Sequence, residues 1–352
     1  MRIIIDINHP AHVHMFKHLA HLLIKNGSEV LFTVRDKEFE IDLLKAEGFT
    51  YINFGKHFRS LIGKIWGLIK FDFQLFLTGL LYKPDLIISH GSMYAAHGSF
   101  LLGKKHLALE DTGNMEQIRL WRRFTDVILT PDTLPVDLGP KQIRFKGYKE
   151  IAYLHPEFFR PDPAIYQWLG LKEGEKFAIV RFISWKATHD AGHKGISVED
   201  KVKLVKKLAG QMKVFITAET GLSEELKPFR FKIPPDKFHH ALNYASIVIS
   251  EGTTTATEAG LLGTPAIYIS TLYDSNCEEM EPYGLVYNTS ESEKIFELLD
   301  AILNKDRETI RESSRAFLQT KVNVTRYLYD FIQKRYQNKN SPIHQTSWES
   351  SY

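Results

Sequence analysis

Residues Ile247 to Ser270 read IVISEGTTTATEAGLLGTPAIYIS. The apolar run Ile247 to Ile249 is short and broken by Ser250-Glu251-Gly252, which predicts a buried strand ending in a tight turn. Thr253, Thr254 and Thr255 then lead into an Ala/Leu-rich helix, and Gly263-Thr264-Pro265 returns the chain to a second strand, Ala266 to Ile269. A strand, turn and helix in that order bring unpaired N–H groups, small hydroxyls and the positive end of a helix dipole to one point. Such a point binds phosphate. Glu258 lies about one turn further on, where a carboxylate accepts hydrogen bonds from a ribose or sugar diol. The plain alternative is that Thr253 only caps the helix and Glu258 is a solvated helical residue.

The same alternation extends through the chain. Arg2–Ile7, Glu29–Val34, Tyr51–Phe54, Leu86–Ser89, His106–Leu109 and Asp126–Thr130 read as strands. Between them lie helical periods at Val13–Asn26, Glu38–Glu47, within Ser60–Tyr82, and around Met115–Phe124. Gly147, Pro156, Pro161 and Pro163 then crowd a linker, and a new series follows with strands at Phe177–Phe182 and Val214–Ala218. Helices of ten to fifteen residues between strands predict an α/β fold of two doubly wound parallel sheets. The expected division is 1–150, 151–321, a C-terminal helix within 322–337 that packs back toward the N-terminal domain, and a flexible tail at 338–352.

Composition narrows the function classes. The chain has 352 residues, 43% of them hydrophobic and 25% charged, enough for two packed cores. A formal net charge of +3 provides no field for bulk nucleic-acid binding, so no such partner is expected. The single cysteine, Cys277, excludes an intramolecular disulfide and a thiolate zinc site and fits a reducing compartment. Met1-Arg2 runs directly into an apolar strand, so a secretory signal is not expected, and the location expected is the cytoplasm. The most apolar stretch, 61–82, is interrupted by Lys64, Lys70 and Asp72 and should not span a bilayer. Its density of Trp66, Phe71, Phe73 and Phe76, with Arg119, Arg122 and Arg123 elsewhere in the domain, points either to a core helix or to peripheral contact with the inner face of a membrane. Burial decides between these.

Further candidates lie beyond strand ends, where open α/β sheets bind ligands. Asn8-His9-Pro10-Ala11-His12 follows the first strand as a loop, and His12 or His9 is the candidate general base. His12, His14, His18 and His21 are also weighed as a zinc cluster, but no carboxylate or thiol stands at a ligand spacing beside them, and neither metal nor cofactor is expected. His90-Gly91-Ser92 repeats the strand-to-turn pattern. His189, Asp190 and His193 lie in a long polar loop, Ser184 to Gly195, of a length that is usually functional.

In order and spacing these segments resemble GT-B nucleotide-sugar enzymes, namely the MurG-type glycosyltransferases and the non-hydrolysing UDP-N-acetylglucosamine 2-epimerases, and most directly the DUF354 family. Asn8 to Val13, Lys83 to Ser92, Asp126 to Thr130 and Ala245 to Ile269 carry the likeness. The resemblance implies two Rossmann-like domains with an interdomain cleft. It also implies His12 as base, Gly252, Thr253 and Thr254 at the diphosphate with Ser250 and Thr255 beside them, and Glu258 on the ribose. Val180 to Ser184 departs from the family's Gly-Gly-Ser turn, and Arg181 is the residue that would compensate by charge. Asp274 and Asn276, like His90, Ser92 and Asp190, are candidates for the donor sugar or acceptor. The implied reaction is metal-independent glycosyl transfer from a nucleoside diphosphate sugar, UDP favoured, to a lipid-linked or cell-envelope acceptor. The alternatives are a 2-epimerase, for which Asp6, Glu110, Asp111 and Asp190 are the available carboxylates, and a non-catalytic nucleotide-sugar binding protein.

Overall fold

The computed structural model of the chain describes residues 1–56, 58, 61–184, 195–219, 221–271 and 274–337. Two compact units emerge, one of Met1–His155 with the segment from Val322 onward, the other of Pro156–Lys321. In chain order the first holds β1 (Arg2–Ile7), α1 (Pro10–Lys25), β2 (Glu29–Asp36), α2 (Glu40–Ala46), β3 (Tyr51–Lys56), α3 (Leu61–Tyr82), β4 (Leu86–His90), α4 (Met93–Leu101), β5 (Lys105–Leu109), α5 (Met115–Trp121), β6 (Val127–Pro131), β7 (Gln142–Phe145) and α6 (Ile151–Leu154). The second holds α7 (Ile165–Trp168), β8 (Phe177–Phe182), α8 (Val198–Ala209), β9 (Lys213–Ala218), α9 (Pro235–Tyr244), β10 (Ile247–Ser250), α10 (Thr253–Leu261), β11 (Ala266–Ile269), α11 (Ser275–Met280), β12 (Val286–Thr289), α12 (Ser292–Leu303) and α13 (Arg307–Gln319). The chain then returns to the first unit as α14 (Val324–Ile332).

Both sheets are parallel, ordered β3-β2-β1-β4-β5-β6-β7 and β12-β11-β10-β8-β9. Parallel strands covered on both faces must be apolar along their whole length. β1 meets that demand with Ile3, Ile4, Ile5 and Ile7, all fully buried. Strand order reverses between β1 and β4 in the first sheet and between β8 and β10 in the second. At such switch points the flanking connections run to opposite faces, leaving a crevice beyond the strand ends.

Local chemistry moves some expected boundaries. His9 is the N-cap of α1 and Pro10 opens it, so His12 lies in a first helical turn rather than in a loop. Two strands stand where none was expected, β7 and β12. Each has four residues and sits at a sheet edge, and in each the middle residues are partly exposed, so neither presents a continuous apolar run. β7 also displaces Asp126–Thr130 as the last strand before the linker. The border lies after His155 and not at 150, because the wholly buried α6 packs on α1 and α14. The expected tail, 338–352, falls outside the described residues.

On β5, beside β4, the first unit buries a histidine. His106 is fully buried, with Nε2 3.0 Å from Ser89 Oγ and Nδ1 2.9 Å from Thr125 Oγ1. Burial penalises its charged form and lowers its pKa to about 4. The folded value thus lies below the unfolded one of about 6.5, so the contribution is complete above that pH and is lost as pH falls toward 4. Urea unfolding at pH 7 and pH 4.5 should show a loss of up to about 3 kcal/mol from this ring. His106→Gln should flatten that part of the dependence.

Candidate functional site

The first unit's switch point is built on a buried ion pair. Asp6 and Arg35 are both fully buried, and the guanidinium meets the carboxylate as a fork, Nη1 to Oδ1 at 2.9 Å and Nη2 to Oδ2 at 2.7 Å. Thr33 Oγ1 donates to Oδ1 at 2.6 Å and Ser92 Oγ to Oδ2 at 2.5 Å. Arg35 donates onward to the Ile7 carbonyl and to Asn8 Oδ1. One pair therefore fixes the chain leaving β1 and the chain leaving β4. Asp6, weighed as a reacting carboxylate, is a structural acceptor with both oxygens engaged. Ser92 is the buried N-cap of α4 and also serves the fold.

Above this pair the histidines gather. The ring of His12 lies 4.6 Å from that of His90 and 6.0 Å from that of His9. His9 Nδ1 accepts from the Ala11 N–H as the helix cap, and its Nε2 faces Glu38 at 4.0 Å. His90 Nε2 lies 2.9 Å from Asp111 Oδ1, and Lys149 Nζ lies 2.6 Å from Asp111 Oδ2 and 3.1 Å from Glu150 Oε1. Burial opposes charge on His12, His90, Asp111 and Lys149, and pairing decides the outcome. Burial would raise Asp111, but Lys149 and His90 hold it well below the usual carboxylate range. Burial would lower His90, but Asp111 raises it above the ordinary histidine value. His12 is lowered, first by burial and then by His90 and His9. His12 is thus a neutral ring, and the Asn8 N–H approaches its Nδ1 at 3.4 Å. That approach assigns the proton of the neutral ring to Nε2, making His12 a hydrogen-bond donor, whereas the ring backed by a carboxylate is His90.

The second unit presents the expected strand, turn and helix. Ser250, fully enclosed, closes the turn through Gly252, donating to its carbonyl at 2.7 Å and accepting from its N–H at 3.0 Å. Gly252, not Thr253, is the N-cap of α10, and no side chain caps it. Glu251 is buried, paired with Lys201 Nζ at 2.6 Å, and accepts the Ile183 N–H at 3.1 Å, which ties the ends of β8 and β10 together. Thr253 and Thr254 are partly exposed and Thr255 is buried. Glu258 is not a solvated residue: it is buried and its Oε1 lies 2.9 Å from His239 Nε2.

Other candidates fall nearby with distinct roles. Arg181 pairs with Glu219 at 2.9 Å, in register with Ser250 on the neighbouring strand. Asp274 is the N-cap of α11, accepting from the Cys277 N–H, and Asn276 lies in the first turn. Cys277 Sγ sits 3.6 Å from Thr253 Oγ1, so α11 flanks the α10 N-terminus. His189, Asp190 and His193 lie outside the described residues. Among the described residues no three His, Cys, Asp or Glu side chains converge on a metal position, and His21 of the weighed zinc cluster pairs with Glu47 at 3.1 Å.

Residues 1–320 match the family model DUF354, described as a protein of unknown function. The chain belongs to DUF354. No curated protein matches it by sequence. Solved structures similar to this DUF354 chain include a putative UDP-N-acetylglucosamine 2-epimerase from Listeria monocytogenes, with TM-score 0.68, 13% identity, and coverage of 97% of this chain and 98% of that one. The UDP-GlcNAc 2-epimerase from Neisseria meningitidis, solved bound to UDP-GlcNAc, gives 0.69 at 14%, covering 95% and 100%. The spinosyn forosaminyltransferase SpnP gives 0.62 at 14%, covering 94% and 99%. At these identities the likeness establishes the fold: two Rossmann-like units of GT-B type.

In this DUF354 chain the sequence reading singles out residues after β1, β4 and β10 and passes over the groups paired with them or with their neighbours, Arg35, Lys149, Lys201 and His239. The first of these is testable. Arg35→Met strands a buried carboxylate and should destabilise the protein by about 3–5 kcal/mol in urea unfolding. Asp6→Leu combined with Arg35→Met should recover much of that loss.

Proposed function

We propose that this DUF354 protein is a nucleotide-sugar enzyme that transfers a glycosyl group from a nucleoside diphosphate sugar, UDP favoured, to an acceptor hydroxyl without a metal. The observation that supports this most is the uncapped N-terminus of α10 beside the buried, His239-oriented Glu258. The N–H groups of the first turn and the hydroxyls of Thr253 and Thr254 suit a diphosphate, and Glu258 suits a ribose diol. Structures of the same fold include enzymes whose names specify UDP-GlcNAc. As the bond from the anomeric carbon to the diphosphate oxygen breaks, the electron pair stays on the diphosphate, where the helix terminus stabilises it. The acceptor oxygen bonds to the anomeric carbon and yields its proton to a base, for which the first unit's candidate is His90, with Asp111 behind it holding the charge. His12 donates to the acceptor oxygen and aligns it. Cys277, buried, fits a reducing compartment, and we place the enzyme in the cytoplasm.

A 2-epimerase remains the second reading, favoured by one feature. Glu110 and Asp111 line a small, half-open pocket together with His90 and Lys149. Incubation with UDP-N-acetylglucosamine and no acceptor separates the two, since only an epimerase forms the 2-epimer.

Under the transferase reading, His90→Ala and Asp111→Asn should each lower kcat by about 10²–10⁴-fold while donor affinity holds. Glu258→Ala should instead weaken nucleotide binding by about tenfold or more, read by calorimetry with UDP. The acid limb of kcat/KM should lie above about 6.5, as expected of a ring raised by a carboxylate. A limb below that value would return the base to His12.

A further inference from the structure

α3 is predominantly apolar, and only part of it is covered. At 100° per residue, Phe71, Leu75 and Thr78 occupy one arc and pack into the first unit with Ile4 and Ile87 of the sheet. The opposite arc, about 160° wide, carries Ile65, Trp66, Ile69, Phe73, Leu77 and Leu81, all between 41% and 84% exposed. The 18-residue window Ile65–Tyr82 has a mean hydropathy of 1.2 and is 28% buried. Length and composition would let it cross a bilayer, but its inner arc is committed to the sheet. The helix therefore lies along the surface of the unit.

The patch continues beyond α3. α4 packs closely against it: a Cβ on Gly98 would come within 2.1 Å of Leu75 Cδ2, and one on Gly79 within 2.1 Å of Leu102 Cδ1. His97 joins three helices, with Nδ1 2.9 Å from Asp72 on α3 and Nε2 3.1 Å from the Leu120 carbonyl on α5. The exposed Phe100, Leu101 and Leu120 thereby extend the apolar face. Its charge is predominantly positive. α4, α5 and the single turn Arg122–Phe124 carry Arg119, Arg122 and Arg123 against one carboxylate, Glu116, and Arg123 stacks over Phe124 at 5.0 Å. Asp72 is paired with His97, and Lys70 is the cation at the edge of the exposed arc.

An exposed apolar face of this size marks a docking surface, and basic side chains beside it complement anionic headgroups. From this we infer that α3, with the outer ends of α4 and α5, docks the protein on an anionic lipid bilayer, apolar side chains entering the headgroup boundary and the three arginines meeting lipid phosphates. The inference uses only the outer face of the first unit and does not depend on the reaction proposed above.

Full-length protein is sedimented with vesicles of phosphatidylcholine alone or of an equal mixture with phosphatidylglycerol. Strong partitioning to the mixed vesicles is expected, weakening as salt rises. Phe73→Glu with Leu77→Glu should abolish it, and Arg119→Glu with Arg122→Glu and Arg123→Glu should weaken it at least about tenfold. Thermal midpoints report that each variant is folded, and the wild-type salt titration needs no variant. Equal partitioning to both vesicles, or no loss in either variant, overturns the inference. So does a lipid-independent dimer in sedimentation velocity that Phe73→Glu with Leu77→Glu dissolves, since the face would then belong to a second copy of the chain.

Discussion

A carboxylate in the middle of a parallel sheet cannot stand alone, because an isolated buried charge costs far more than any neighbouring contact returns. Asp6 sits in β1 between Ile5 and Ile7, all fully buried, and its existence there requires Arg35. The rest of the first unit's crevice follows from that requirement. The guanidinium that neutralises Asp6 also reaches Asn8, Asn8 offers its N–H to His12, and the free side of the carboxylate holds Ser92 at the head of α4. Hydrophobic residues of the right size would keep this sheet folded. They would not hold two strand-end loops in register with one another.

The second unit meets the same geometric problem with a different pair. Glu251 follows β10 and takes Lys201 from α8 and the Ile183 N–H from the end of β8, so the turn before α10 is anchored from two sides. In both units a buried acid at the switch point leaves the adjacent helix terminus, α4 or α10, in a fixed position. The difference lies in what occupies that terminus. Ser92 caps α4 from within, whereas α10 has a glycine cap.

Much of this was legible in the sequence because burial on two faces writes itself as continuous apolar runs. The central strands and the α10 turn were readable on that ground. Edge strands β7 and β12 were not, since an edge needs fewer apolar residues. The start of α1 was misplaced because its cap is a histidine, while Pro10 is as much a loop signal as a first-turn residue. The orienting partners were illegible for another reason. Asp111 and Lys149 are 38 positions apart and Lys201 is remote from Glu251, so only the folded topology joins them. For α3, large apolar residues stand on both the covered and the open arc, which blurs the period that would tell one from the other.

α14 supplies a part of the first unit from the far end of the chain. Val324, Leu328, Phe331 and Ile332 are fully buried, Tyr327 stacks on Phe145 at 5.3 Å, and Thr325 donates to the Ala152 carbonyl at 2.7 Å. The family match ends at residue 320, before this helix begins. On the ribosome the second unit has all its residues by Lys321, while the first unit still waits for α14, which follows it in the chain.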